Sequence, residues 1–215
     1  MSSFVAHKIR IYPTTSQERW LKSACGAARF VYNWGLTEWS NMYKEYELDN
    51  TKPRPTRFTL ANRFNKLKTI DPSLSWITQT CDQPAQNALQ DLDAAFSKFF
   101  KKLSKYPEHK SKHKSKLSYR QNIRSGLFKN GKLKLQGLKS AIKMAEQWRF
   151  NLDSKFLFVT MSQKNNKWYA AITAEITERN LPKGLDSDPV GIDLGITTLA
   201  TLSNGQKLTK RKTSR

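Results

Sequence analysis

Acidic side chains are scarce in this sequence. Seventeen Asp and Glu face 38 Lys and Arg, a formal charge of +21. So one-sided a balance excludes polycationic partners and points to a polyanion, most simply nucleic acid. Cysteine is sparser still. Cys25 and Cys81 have no paired spacing, so neither a disulfide framework nor a zinc site can be built from them. Both read as reduced structural thiols of a cytosolic protein. No long apolar run suggests a membrane span and no signal peptide is visible, so a cytoplasmic, nucleoid-associated place without a membrane partner is expected. What is present is ordinary: 38% hydrophobic and 11% aromatic residues in 215, enough for a core in one large domain or two small ones.

Phe4 to Tyr12 alternates, with Val5, His7, Ile9 and Ile11 on one side and Ala6, Lys8, Arg10 and Tyr12 on the other, the period of a strand. Pro13 ends it. Thr15-Ser16-Gln17-Glu18 reads as a capping box, and apolar residues from Trp20 to Tyr43 predict a helix to about Leu48. Arg29 and Asn33, four apart on one face, read either as surface polarity or as contacts to a nucleic-acid backbone. Trp39 is also hard to assign to a core. The proline-bearing stretch Asp49 to Arg57 is a loop, and Thr59 to Thr69 a short helix broken by Asp71-Pro72-Ser73. Asp82 is the expected cap of a helix running to about Leu103, with Pro84 in its first turn. Gln86 and Asn87 stand at its start, and such amides can pair bidentately with adenine.

Lys98 to Arg120 is the densest basic run, carrying Lys110, Lys112, Lys114, Lys116 and Arg120 against Glu108 alone. It reads as a phosphate-binding loop whose Tyr106 and Tyr119 can stack on bases. His109 and His113 have a metal-pair spacing, but the lysines around them repel cations and Pro107 breaks the helix such a pair needs. From Leu117 to Ile176 the pattern turns to strands, with hairpins at Asn130-Gly131 and at Lys164-Asn165-Asn166-Lys167 and a strand candidate at Ile142 to Phe150. With Phe4 to Tyr12 this makes about six strands, enough for a small barrel into which the helical part is inserted. Thr177 to Pro189 reads as a linker.

Val190 to Asp193 then reads as a short buried strand, Leu199 to Ser203 as a second, and Asn204-Gly205 as a tight turn. Asp193, at the end of an apolar strand, is either a magnesium ligand or a turn cap. This stretch, Val190 to Gly205, resembles the first catalytic motif of RuvC-type, RNase H-like nucleases. It is similar in particular to the form found in the TnpB/OrfB family of insertion-sequence proteins, RNA-guided DNA endonucleases of the transposase type that transposons encode. Phe4 to Pro13, Ala27 to Trp34, Gln86 to Leu89, Phe96 to Phe100 and Ser118 to Arg120 resemble that family in the same order.

The resemblance implies an α+β fold: a wedge-like β-barrel from 1–14 and 113–178, a helical recognition insert at 15–112, a linker at 179–189 and the start of a RuvC-like domain at 190–215. It implies guide RNA and target DNA as partners, with Gln86 reading a short DNA motif beside the target. The implied binding set is Arg29, Asn33, Phe58, Gln86, Asn87, Lys110, Lys112, Lys114, Lys116, Ser118, Tyr119, Arg120 and Gln121. Asp82 departs from the Lys often found four residues before Gln86, which leaves the motif read open. Magnesium, held by Asp193, is the implied cofactor; the family's zinc-ribbon cysteines are missing. Two-metal cleavage needs several carboxylates, and none follows Asp193. The expectation is therefore a chain truncated after the first RuvC motif and not cleavage-competent alone, unless a second chain supplies the rest. A nuclease-dead RNA-guided DNA binder is the alternative. Asp193 to Thr198 also resembles the phosphate loop of actin-like ATPases, but there the motif opens a domain, and Ile196 intrudes before the threonines.

Overall fold

The computed structural model describes residues 3–123, 128–129, 131–146, 155–176, 190–196 and 198–209. Contacts divide the chain into two units, Met1–Asn180 and Leu181–Arg215.

The first unit opens with β1 (Ser3–Tyr12). The helices follow: α1 (Thr15–Leu48), α2 (Arg57–Ile70), a 3-10 turn (Pro72–Leu74), the short α3 (Ser75–Thr78) and α4 (Asp82–Phe100). Then come β2 (Ser118–Asn122), β3 (Phe128–Lys129), β4 (Lys132–Leu133), β5 (Ile142–Met144), β6 (Lys155–Lys164) and β7 (Lys167–Ile176). They form a seven-stranded sheet in the order β2-β6-β7-β1-β5-β4-β3. β1 sits in its middle, with Ile11 opposite Trp168 of β7 and Met144 of β5. So the fold is α+β with the helices inserted between β1 and its partners, as expected. The barrel is not closed: among the described residues the ladder ends at β2 and β3. Strands of two residues, as β3 and β4 are, cannot carry a ladder round a full turn. The sheet curls nonetheless, because Gln121 Nε2 on the β2 edge donates to Gln136 O beyond β4 at 3.2 Å.

Its inner face is the core. Trp168, Ala170, Ile172 and Ala174 alternate inward, beside Ile9, Ile11, Val159 and Met161. The helices add a second apolar layer. A Cβ on Gly35 of α1 would stand 2.8 Å from Leu89 Cδ2 of α4, so these helices cross in contact. Trp39 stacks on Phe96 at 4.2 Å and is buried, which settles it as core.

Two helix ends differ from expectation. Thr14, not Thr15, caps α1: its backbone is extended, its N–H donates to Gln17 Oε1 at 2.9 Å, and Gln17 N–H donates back to its hydroxyl. Glu18 pairs instead with Lys22 at 2.8 Å. Cys81, not Asp82, is the residue before α4. Asp82 lies inside the first turn, where a carboxylate suits the helix dipole, and faces Lys68 at 3.7 Å. The helix stops at Phe100 because Lys102 turns left-handed (φ 58) and Leu103 N–H closes on Lys98 O at 2.9 Å.

In the second unit β8 (Ile192–Asp193), β9 (Ala200–Leu202) and β10 (Lys207–Leu208) pair antiparallel in the order β10-β9-β8. The turn at Asn204-Gly205 is as expected, with Gly205 at φ +87 and Leu202 N–H donating to Gln206 O. The expected burial of Val190 to Asp193 is not found. Ile192 is 65% exposed and Leu194 77%, since among the described residues of this unit no second layer covers the sheet. The linker at 179–189, with Asp186 and Asp188, lies outside the described residues, as do 147–150, 210–215 and Thr197.

Candidate nucleic-acid interface

The basic run is held in place by one face of α1. Asn33 Nδ2 donates to Lys110 O at 3.0 Å and Lys110 N–H donates to Asn33 Oδ1 at 2.8 Å, a two-point clamp on backbone. One turn on, Thr37 Oγ1 meets His109 Nε2 at 3.1 Å, and further along Ser40 Oγ meets Tyr106 OH at 3.0 Å. Tyr106 also sets its ring edge-to-face against Phe96 and Phe99. A segment without regular structure thus gains fixed partners at Tyr106, His109 and Lys110. Asn33, half-exposed, thus holds the run as a clamp through one N–H and its amide oxygen.

The clamp delivers Lys110 to a pocket of about 520 Å³. Arg29, Ala88 and Asp91 line it from the helices, Lys110 and Lys116 from the basic run, and Ser118, Arg120, Phe158 and Thr160 from β2 and β6. Four cations and one carboxylate therefore share its lining. Lys110 Nζ stands 3.7 Å from the Tyr32 ring centroid, and burial lowers its pKa while Asp91 opposes that shift. Burial raises the Asp91 pKa, against the pull of Arg120 and Lys110. Arg120 Nη2 forms an ion pair with Asp91 Oδ1 at 2.7 Å, and its guanidinium lies over the Phe158 ring at 5.1 Å. Such a pocket can take an anion with several acceptor oxygens.

The outer face of the sheet continues the charge. The ladder puts Arg120, Thr160, Ala171 and Lys8 in one row and Ser118, Ser162, Tyr169 and Arg10 in the next. Tyr12, Lys143 and Lys132 extend it over β5 and β4. Lys8 stands over the Tyr169 ring and Arg10 over Tyr12. These cations were legible in the Lys8–Arg10–Tyr12 side of the β1 alternation, but only the register joins them to Arg120. Asp91, Phe158 and Thr160 gave no signal of their own.

Of the expected set, Arg29, Lys110, Lys116, Ser118, Tyr119 and Arg120 meet at the pocket. Lys112 and Lys114 are exposed beside it in sequence, on a turn tied by Ser111 Oγ. Gln86 is exposed on α4, one turn before Gln90, which accepts from Arg120 Nη2 at 3.3 Å. Phe58 is 66% exposed on α2 under the Arg57 guanidinium, outside the pocket lining. Three residues are corrected. Tyr119 is 3% exposed and packs edge-on against Trp20, so its ring is not free to stack on bases. Gln121 is buried on the same inner face, and Asn87 is buried with its amide on Gln83 O at 2.9 Å. Period-2 alternation put Tyr119 and Gln121 inward together, and Asn87 lies on the buried face of α4.

Asp193 is exposed in β8, opposite Thr201. It is the one acidic residue among the described residues of the second unit, and no group of three metal-binding side chains occurs among those described anywhere. One carboxylate does not fit a two-metal site, which must hold two divalent cations about 4 Å apart.

A curled sheet and a helical insert thus build together a basic pocket suited to a polyanion. Residues 2–47 match the helix-turn-helix domain of the OrfB/IS605 type. Here they form a strand and one unbroken helix. A Streptomyces pristinaespiralis protein named as a candidate RNA-guided DNA endonuclease is 32% identical over 98% of this chain and 50% of its own length. InsQ of Escherichia coli (strain K12), a candidate RNA-guided DNA endonuclease too, is 28% identical over 95% of this chain and 48% of its own. The chain belongs to the TnpB/OrfB family, and it spans about half the length of the curated relatives it matches.

Proposed function

We propose that this chain is the nucleic-acid-binding part of a TnpB-type RNA-guided DNA endonuclease, gripping guide RNA and target DNA. The carrying observation is the pocket where Arg29, Lys110, Lys116 and Arg120 converge and from which cations continue across the sheet. Phosphate neutralisation by such a surface supplies affinity without reading sequence, which base pairing with the guide would do. Gln86, exposed beside Gln90, is the side chain proposed to read the flanking DNA motif. Cleavage would need magnesium and carboxylates beyond Asp193, from a longer chain or a second one. The alternative, an RNA-guided binder that does not cut, is favoured by the single carboxylate of the described second unit.

The test is purification from host cells, sequencing of bound RNA, and a magnesium-dependent cleavage assay on matching DNA. A discrete RNA, lost in an Arg29→Glu/Lys116→Glu variant, is expected. Absence of RNA, with no affinity for added RNA, overturns the proposal. Cleavage abolished by Asp193→Ala would discard the non-cutting alternative.

A further inference from the structure

Arg120 is the least settled cation of the pocket. Its ion pair with Asp91 runs from Nη2 to Oδ1 at 2.7 Å, and the same Nη2 also donates to Gln90 Oε1 at 3.3 Å. Its Nε is buried and has no hydrogen-bond partner. An unpaired buried donor is destabilising, so this is not the arrangement a permanent structural ion pair would take. Asp91, whose side chain is 44% exposed, has a way out to water. The Arg29, Lys110 and Lys116 side chains border the same space and meet no other carboxylate in its lining.

We propose that Arg120 and Asp91 form an exchangeable pair: Asp91 holds the place of a nucleic-acid phosphodiester, and a phosphate of the bound strand takes Arg120 from it. This rests on the nucleic-acid reading above. A phosphodiester offers two acceptor oxygens, which a guanidinium fork can meet through Nη2 and Nε together. It also brings a charge toward Lys110, whose burial disfavours its ammonium form. Asp91 then faces a like charge and swings outward. The consequence is discrimination. A stray polyanion must displace Asp91 for one contact, whereas a strand that fills the whole pocket gains Arg29, Lys110 and Lys116 as well.

Asp91→Asn tests this, since it keeps the shape and removes the charge. The probe is a fluorescein-labelled, mixed-sequence RNA of about 20 nucleotides, read by anisotropy against the full chain. The variant is expected to bind about fivefold tighter at low salt, and the gain to fade above about 0.3 M salt. Its plot of log affinity against log salt should steepen by up to about 0.7, the increment of one net charge at the site on a single strand, because no displaced carboxylate then opposes the bound phosphate. Adding Arg120→Gln should cancel the gain, which a general loosening of the fold would not do. If Asp91→Asn fails to fold, Asp91→Ser takes its place. Unchanged or weaker binding with an unchanged slope would make Asp91 a mere support for Arg120 and overturn the exchange alone. A wild-type chain with no salt-dependent affinity for the RNA would overturn both the exchange and the nucleic-acid reading.

Discussion

From Trp168 to Ala174 every second residue of β7 is buried, while both residues of β8 are exposed. Both stretches mix apolar residues with a β-branched isoleucine, Ile172 in one and Ile192 in the other. What separates them is cover. β7 lies between β6 and β1, with its inner side chains packed in the core, whereas β8 is one edge of a three-stranded sheet whose described residues bury only Ala200. An apolar run therefore specifies a strand in both places, but burial belongs to the second layer and not to the run.

The largest effect expected of this contrast is at a glycine. Gly137 has φ +89, and a Cβ there would meet Trp20 Cζ2 at 2.7 Å and Thr80 O at 2.9 Å. Gly137→Ala should cost about 3 kcal/mol by urea unfolding, from backbone strain and overpacking. Gly205→Ala, equally left-handed but in open space, should cost about 1 kcal/mol and leave the first unit's transition in place. Next comes a matched pair: Ile172→Thr should lose about 2–3 kcal/mol, and Ile192→Thr less than about 0.5. Equal losses would break the comparison, because they would mean β8 is as well packed as β7. Asn33→Ala should cost about 1–2 kcal/mol for the lost clamp and speed tryptic cleavage after Lys105 and Lys110. The smallest effect is chemical. Burial pushes the Cys25 thiol up to about 12, and raises that of the less buried Cys81 as well. At neutral pH iodoacetamide should label Cys81 slowly and Cys25 more slowly still, since thiolate is the attacking form.

Much of the fold was legible because it rests on period. The alternation from Val5 to Ile11 gave β1, and helical spacing gave α1 to within a residue at each end. The caps were misread by one position, as Thr14 and Thr15 look alike without backbone angles. That the barrel stays open among the described residues was not legible, because strand number alone says nothing of how long each ladder runs. At the site, charge density found the run from Lys110 to Arg120 but could not sort its members. Tyr119 and Arg120 are neighbours, yet one is core and the other lines the pocket, since a strand sends successive side chains to opposite faces. Asp91 carried no signal, for one of three acids on α4 becomes distinctive only when it shares a pocket with four cations.

The middle position of β1 has a consequence in time. Its partners, β5 and β7, begin at Ile142 and Lys167. At ribosomal rates of about 5–20 residues per second, roughly 150 further residues must be made before its pairing with β7 can form, a wait of about 10–30 s. During that wait α1 and α4, which pack within the inserted segment, can already meet through Gly35 and Leu89. The helices are thus the first part of the first unit able to assemble, and the sheet zips last, around a strand that was synthesised first.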